Sequence, residues 1–180
     1  MKLRCEYAFI YSIIEPMPIE KTIAKYFKMT DEVWSRHANP WSVWTRFSTL
    51  PVLAISVWSR VWIGWWAVIP VIAALIWIYV NPRIFKRPST TDHWASKGVL
   101  GERVWLNRKD IPVPNHHYKI INILTAISGI GAVICVYGLI VLSIWATVFG
   151  IVVVILGKTW FLDRMVWIYE EMKDKTPEYR

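Results

Sequence analysis

Charged side chains are almost missing from two long stretches of this 180-residue chain: Arg60 stands alone between Phe47 and Val80, and Lys158 alone between Ile120 and Leu162. Neither stretch holds an Asp, Glu or His. Proton relays, ion pathways and voltage sensors are built from ionisable groups inside the membrane, so a small transporter or channel is the least favoured reading. Cysteine is nearly absent as well. Cys5 and Cys135 lie far apart in unlike settings, which speaks against a disulfide framework or a cysteine metal motif and leaves two reduced thiols. No HExxH, CxxC, paired ExxH, phosphate-cradling loop, Ser/His/Asp arrangement or haem-attachment motif occurs. Acidic residues are outnumbered, 13 Asp and Glu against 21 Lys and Arg, for a formal charge of +8.

What fills the chain instead is apolar and aromatic: 55% hydrophobic residues, 15% aromatic and 13 tryptophans, with only 19% charged where soluble proteins carry about 25%. This composition points to the bilayer. The stretch 47–80 has 34 residues and would measure about 51 Å as one helix, against a hydrocarbon core of ~30 Å. It must fold back. The polar pair Ser59-Arg60 predicts the turn, giving a short arm, 49–58, that either spans with help from Trp41–Phe47 or is re-entrant, and a full arm, 61–80, kinked at Pro70. The stretch 120–162 predicts a second hairpin turning near Tyr137-Gly138. Ser128, Gly129, Gly131 and Ala132, with Gly150 and Gly157 on the following helix, predict close helix contact. Asn122, Thr125 and Ser128 form a polar stripe read as interhelical hydrogen bonds.

The basic residues set the threading. Residues 1–46 hold seven, the first hairpin tip one, the loop 81–119 eight, the second tip none, and the tail from Lys158 five. Cytoplasmic segments are the ones enriched in Lys and Arg, so both termini and the central loop share the cytoplasmic side and four crossings result. The positive charge is spread over every such segment and interrupted by Asp92, Glu102 and Asp110, without a nucleic-acid-binding motif. Anionic lipid headgroups are its expected partner, beside other membrane subunits, and nucleic acid is not.

The expected fold is therefore all-α: a polytopic membrane helical bundle of four transmembrane helices in two hairpins, with an N-terminal interfacial helix and a cytoplasmic loop carrying a short helix. One structural domain divides into a cytoplasmic and interfacial segment (1–46), hairpin 1 (47–80), the cytoplasmic loop (81–119), hairpin 2 (120–162) and a cytoplasmic tail (163–180). Near the start, Glu6 and Glu15-Pro16-Met17-Pro18 fit no cleavable signal. Ile19, Ile23, Tyr26 and Phe27 give the interfacial helix its apolar side. Thr30 with Asp31 and Glu32 reads as the start of another helix, which Asn39-Pro40 ends. In the loop, Thr91–Leu106 reads as a helix capped by Thr90 or Thr91, with Gly101 weakening it.

All four histidines, His37, His93, His116 and His117, fall on the cytoplasmic face. His93, His116 and His117 are the candidate metal ligands, with Asp92, Glu102 and Asp110 within possible reach, although their spacing matches no motif. The run His37 to Arg46 reads either as a ligand site, with indole walls and Arg46 as anion anchor, or as a turn into the membrane in which Trp41 and Trp44 join the interfacial belt and Arg46 snorkels; the second is preferred. The candidate cytoplasmic-face site comprises His37, Asn39, Arg46, Glu102, Arg103 and His116. Trp34, Trp94 and Trp105 fit no belt.

His37-Ala38-Asn39-Pro40-Trp41-Ser42 with Trp44-Thr45-Arg46, Asn81-Pro82 with Phe85 and Pro88, and Leu100-Gly101-Glu102-Arg103 with Trp105 resemble a family of small uncharacterised prokaryotic membrane proteins, a domain of unknown function. The resemblance covers roughly residues 31–170 and leaves the first 30 outside. It implies a helical integral membrane protein of a prokaryotic cell membrane and carries over no catalytic residue. The expected function is a non-catalytic or accessory subunit of a membrane complex. The alternatives are a membrane enzyme using His37, Glu102, Arg103 and His116, with or without a metal, and a small transporter; no cofactor is indicated.

Overall fold

The computed structural model describes residues 27–176; the expected interfacial helix lies mostly outside them. Phe27 and Lys28 form a turn, with Lys28 at φ 46°, ahead of helix α1, Asp31–His37. Thr30 caps α1, its Oγ1 accepting from the Val33 N–H at 3.4 Å, and Asp31 and Glu32 occupy the first turn. Asn39 then opens α2, Pro40–Phe47, by accepting the Trp41 N–H at 2.9 Å. Pro40 suits the first helical position because the N–H it lacks would be unpaired there anyway.

Helices α3, Thr49–Trp58, and α4, Arg60–Ile63, continue the same rod. Ser48 and Ser59 between them keep right-handed helical dihedrals, and the Ser48→Trp44, Val52→Ser48, Ser59→Ile55 and Ile63→Ser59 backbone bonds run unbroken across the joins. The reversal is not at Ser59-Arg60. Ser59 returns its hydroxyl to the Ser56 carbonyl at 2.7 Å, and Arg60 donates across to the Leu139 carbonyl and, at 3.4 Å, to that of Ile140. Both polar groups are satisfied within helices, so neither demands a turn. The chain reverses at Gly64, whose φ of 55° and ψ of −131° suit glycine alone, through a short 3₁₀ turn, Gly64–Ala67. The first arm therefore runs from Pro40 to Ile63, 24 residues and about 36 Å.

Helix α5, Val68–Ile84, returns against α3. Pro70 sits in its first turn and has no hydrogen bond to break, so the expected mid-helix kink is absent. Asn81-Pro82 does not end α5 either; both are buried and the helix runs on to Ile84. The loop helix α6, Trp94–Leu106, is capped by His93, whose Nδ1 accepts the Ala95 N–H at 3.1 Å. Thr90 and Asp92 instead bond to each other upstream.

Helices α7, His116–Val141, and α8, Ile144–Met172, form the second hairpin. Its turn is Leu142, at φ 57°, with Ser143 capping α8, and not Tyr137-Gly138. Gly138 has another use: a Cβ there would meet the Thr147 nitrogen at 2.4 Å. Gly131, Gly150 and Gly157 are equally tight against the facing helix, whereas Gly129 faces open space. Of the polar stripe, Asn122 and Thr125 are exposed and Ser128 bonds to Leu124 of its own helix.

Helix is the one regular element among the described residues, which hold no strand. Three stretches, Pro40–Ile84, His116–Val141 and Ile144–Met172, are long and apolar enough to cross a membrane, and the first doubles back at Gly64. The buried core lies elsewhere, around α6. One cluster joins Trp34, Val43, Val99, Leu100 and Leu162; the other joins Val104, Trp105, Ile121, Phe161, Met165 and Ile168. α6 lies directly on α8, and Gly101 sets the distance, since a Cβ there would stand 1.9 Å from the Met165 carbonyl oxygen.

Gly101→Ala is expected to cost about 1–3 kcal/mol, the usual penalty for overpacking, and to lower the melting temperature of the detergent-solubilised protein by several degrees. Gly129→Ala has room for its methyl group and gains helix propensity, so its melting temperature should match or exceed the parent's.

Candidate functional site

Where α1, α2 and α5 meet, a chain of polar groups closes in one direction. A guanidinium can only donate, and Arg46 Nη1 lies 2.9 Å from His37 Nε2. His37 Nε2 must therefore carry the lone pair, which puts the ring proton on Nδ1. That N–H donates to Ser42 Oγ at 2.8 Å, and the Ser42 hydroxyl in turn donates to Asn81 Oδ1 at 2.9 Å. Asn81 Nδ2 donates to Thr45 Oγ1 at 2.7 Å, whose hydroxyl ends on the Trp41 carbonyl at 2.6 Å. Ser42 and Asn81 are fully buried. Burial and the adjacent Arg46 push the His37 pKa down to about 3, with Lys158 acting the same way and Glu102 opposing. His37 is a neutral imidazole with both nitrogens engaged.

A cavity of about 190 Å³ opens beside this relay, lined by His37, Arg46, Glu102 and Lys158 with Val43, Phe47, Val99 and Leu162. Lys158 Nζ and Glu102 Oε1 are 3.0 Å apart. Burial alone would raise the Glu102 pKa, but the charges of Lys158 and Arg46 and the bond to Lys158 outweigh it and hold the carboxyl below the usual carboxylate range. Two cations and one carboxylate thus face the cavity, a net positive site at one end of the apolar helices.

The structure brings His37, Arg46 and Glu102 together and separates the other candidates. Asn39 caps α2 and donates to the Lys86 carbonyl at 2.9 Å. Arg103 turns to the opposite side, pairing with Asp31 beside an open groove that also holds Arg36, Lys86 and Arg87. His93 is a helix cap. His116 and His117 join Glu171 in a separate cluster. Ser42, Asn81 and Lys158 were missed by sequence reasoning. Lys158 had a signal, since a lone charge in an apolar block needs a partner.

The three unassigned tryptophans belong to this layer. Trp34 packs beside His37. Trp94 stacks on Trp44 and donates to Asp163 at 3.0 Å. Trp105 is buried, edge-on to Tyr118 and beneath Arg108. Trp41, by contrast, is 69% exposed, and Trp65 and Trp145 at the hairpin tips are 92% and 85% exposed, as an interfacial belt requires.

Fold and site together define an all-helical protein with three apolar stretches fit to cross a membrane and a buried polar joint at one end. The chain belongs to DUF6653, a family of unknown function, whose model matches residues 18–179. The match starts earlier than residue 31 and takes in part of the N-terminal segment that the resemblance left outside. No curated protein and no solved structure matches the chain.

Because the folded pKa of His37 lies below its unfolded value of 6.5, the unfolded chain takes up the proton first as pH falls. This contribution to stability is complete above about pH 6.5 and declines as pH drops toward 3. Ring-¹⁵N spectra should show His37 as the Nδ1–H tautomer, unchanged between pH 5 and 8, and His37→Gln should flatten the acid side of the stability profile. Asn81→Ala, which leaves the buried Ser42 hydroxyl without its acceptor, should lower stability by about 1–3 kcal/mol, read as a fall in melting temperature.

Proposed function

We propose that this protein is a non-catalytic integral membrane protein, an accessory subunit of a membrane assembly, that holds an anionic phospholipid headgroup in the cavity at Arg46 and Lys158. The observation that carries this reading is the engagement of every group a catalyst would need. His37 Nε2 accepts from Arg46, His37 Nδ1–H donates to Ser42, and Glu102 is paired with Lys158. A general base needs a free lone pair and a pKa near the working pH, and His37 offers neither. An anion needs only the surplus positive charge and room for a phosphate-sized group, which the cavity supplies.

In this reading the chain crosses four times, supported by the reversal of Pro40–Ile84 at Gly64 into the arms Pro40–Ile63 and Val68–Ile84, beside His116–Val141 and Ile144–Met172. The distribution of basic residues favours both termini and α6 on the cytoplasmic side, and the exposed tryptophans at the tips suit the opposite interface. The accessory role rests on the engagement of the reactive groups at the cavity, where His37 is bonded at both nitrogens and Glu102 is paired with Lys158.

In nanodiscs of mixed zwitterionic phosphatidylcholine and anionic phosphatidylglycerol, native mass spectrometry should find phosphatidylglycerol retained selectively by the parent, and lost from the Arg46→Gln/Lys158→Gln variant. Equal retention by both proteins would sink the headgroup reading. In a background lacking Cys5 and Cys135, a membrane-impermeant maleimide should label Trp65→Cys but not Ser89→Cys in intact cells; the reverse pattern rejects the threading. Native purification should yield a larger complex, and a protein that always runs alone is no accessory subunit.

A further inference from the structure

We propose that His116, His117 and Glu171 form a divalent metal site of the zinc class, independent of the cavity at His37. His116 and His117 open α7, and Glu171 lies in the last turn of α8, so the three donors come from the two ends of one tightly packed hairpin. Their ligand atoms all lie within 4.8 Å of one another. The two ring nitrogens straddle the carboxylate: His116 Nε2 is 3.4 Å from Glu171 Oε1, and His117 Nε2 is 3.3 Å from Oε2.

Those separations are longer than the roughly 2.7–2.9 Å of a charge-assisted hydrogen bond. Either one is close to the edge of a coordination tetrahedron, about 3.3 Å for donors about 2.0–2.1 Å from zinc, so one carboxylate oxygen and its facing imidazole already stand at coordination spacing, with the second histidine within 4.8 Å. Two imidazoles and one carboxylate are a known zinc donor set, and three protein ligands leave a position for water. The site is also anchored. His117 is fully buried, and the rings of the adjacent histidines lie with their centroids 4.1 Å apart. The His116 side chain and the Glu171 carboxylate reach solvent, giving an ion a route in. The positive start of α7 and the negative end of α8 oppose each other at this point, so the helix dipoles do not exclude a cation. A bound ion would pin the start of α7 to the end of α8. Sequence spacing grouped His93 with these histidines, but the fold spends His93 on a helix cap and supplies Glu171 instead.

The test uses the full chain, tag-free, in detergent, stripped with chelator and dialysed. Zn²⁺ titrated against a chromophoric chelator should bind one ion per chain and raise the melting temperature. Co²⁺ in its place should give the intense visible absorption of a four-coordinate ion. His116→Ala, at an exposed side chain, and Glu171→Gln should each weaken Zn²⁺ binding by at least about tenfold, with helicity by circular dichroism unchanged for His116→Ala. His93→Ala should bind as the parent does. Failure of the parent to bind Zn²⁺, or parent-like affinity in His116→Ala, overturns the site.

Discussion

The bond from Arg46 to His37 decides the direction of everything attached to it. Because the guanidinium has hydrogens and no lone pair, the imidazole has one permitted tautomer, the serine one permitted rotor, and the asparagine one permitted flip. A buried polar chain with one consistent solution is rigid, since any member that turns leaves its neighbours unpaired in a low dielectric. That rigidity fixes α1 and α2 to α5 at the base of the first hairpin. With the imidazole neutral, the surplus positive charge at the cavity comes from Arg46 and Lys158 against Glu102.

The molecule has two kinds of interior. Around α6 the packing is that of a soluble core, with Trp105, Met165 and Ile168 excluded from solvent. Along the hairpins it is that of membrane helices, where glycine lets α7 and α8 touch through backbone and the remaining apolar surface faces outward. Gly101 belongs to both. It lies in the polar loop of the sequence, yet makes the closest approach to α8 of any glycine in the described residues.

The helical class and the apolar stretches were legible because length and hydrophobicity are local properties. So were Thr30 as a cap and Asn39-Pro40 as a helix boundary, whose chemistry acts over three or four residues. The hairpin turns were misplaced for a physical reason. Polar residues are turn signals in a sequence, but Ser59 returns its hydrogen to its own helix and Arg60 finds a carbonyl 79 residues away. The reversals depend on left-handed backbone at Gly64 and Leu142. Half of the candidate cluster, His37, Arg46 and Glu102, emerged from the right residue types. Lys158 and Glu171 lie on a helix whose register against α6 and α7 is set by packing, which one sequence does not display. The His37-to-Arg46 run was read mainly as a bend into the membrane; the bend is there, and its polar residues are the relay that holds it.

Arg60 introduces an order in time. Its guanidinium spans the two hairpin tips and ends on the carbonyls of Leu139 and Ile140, near the end of α7, where helix carbonyls lack amide partners. In a chain threaded as proposed, the ribosome makes Arg60 long before those acceptors exist. Until the second hairpin exists, Arg60 has only the Val57 carbonyl of its own arm to accept from it. The far end of the first hairpin is thereby tied to the second, so that a chain ending before α7 would keep its apolar hairpin but lose the carbonyls of Leu139 and Ile140 that hold its tip.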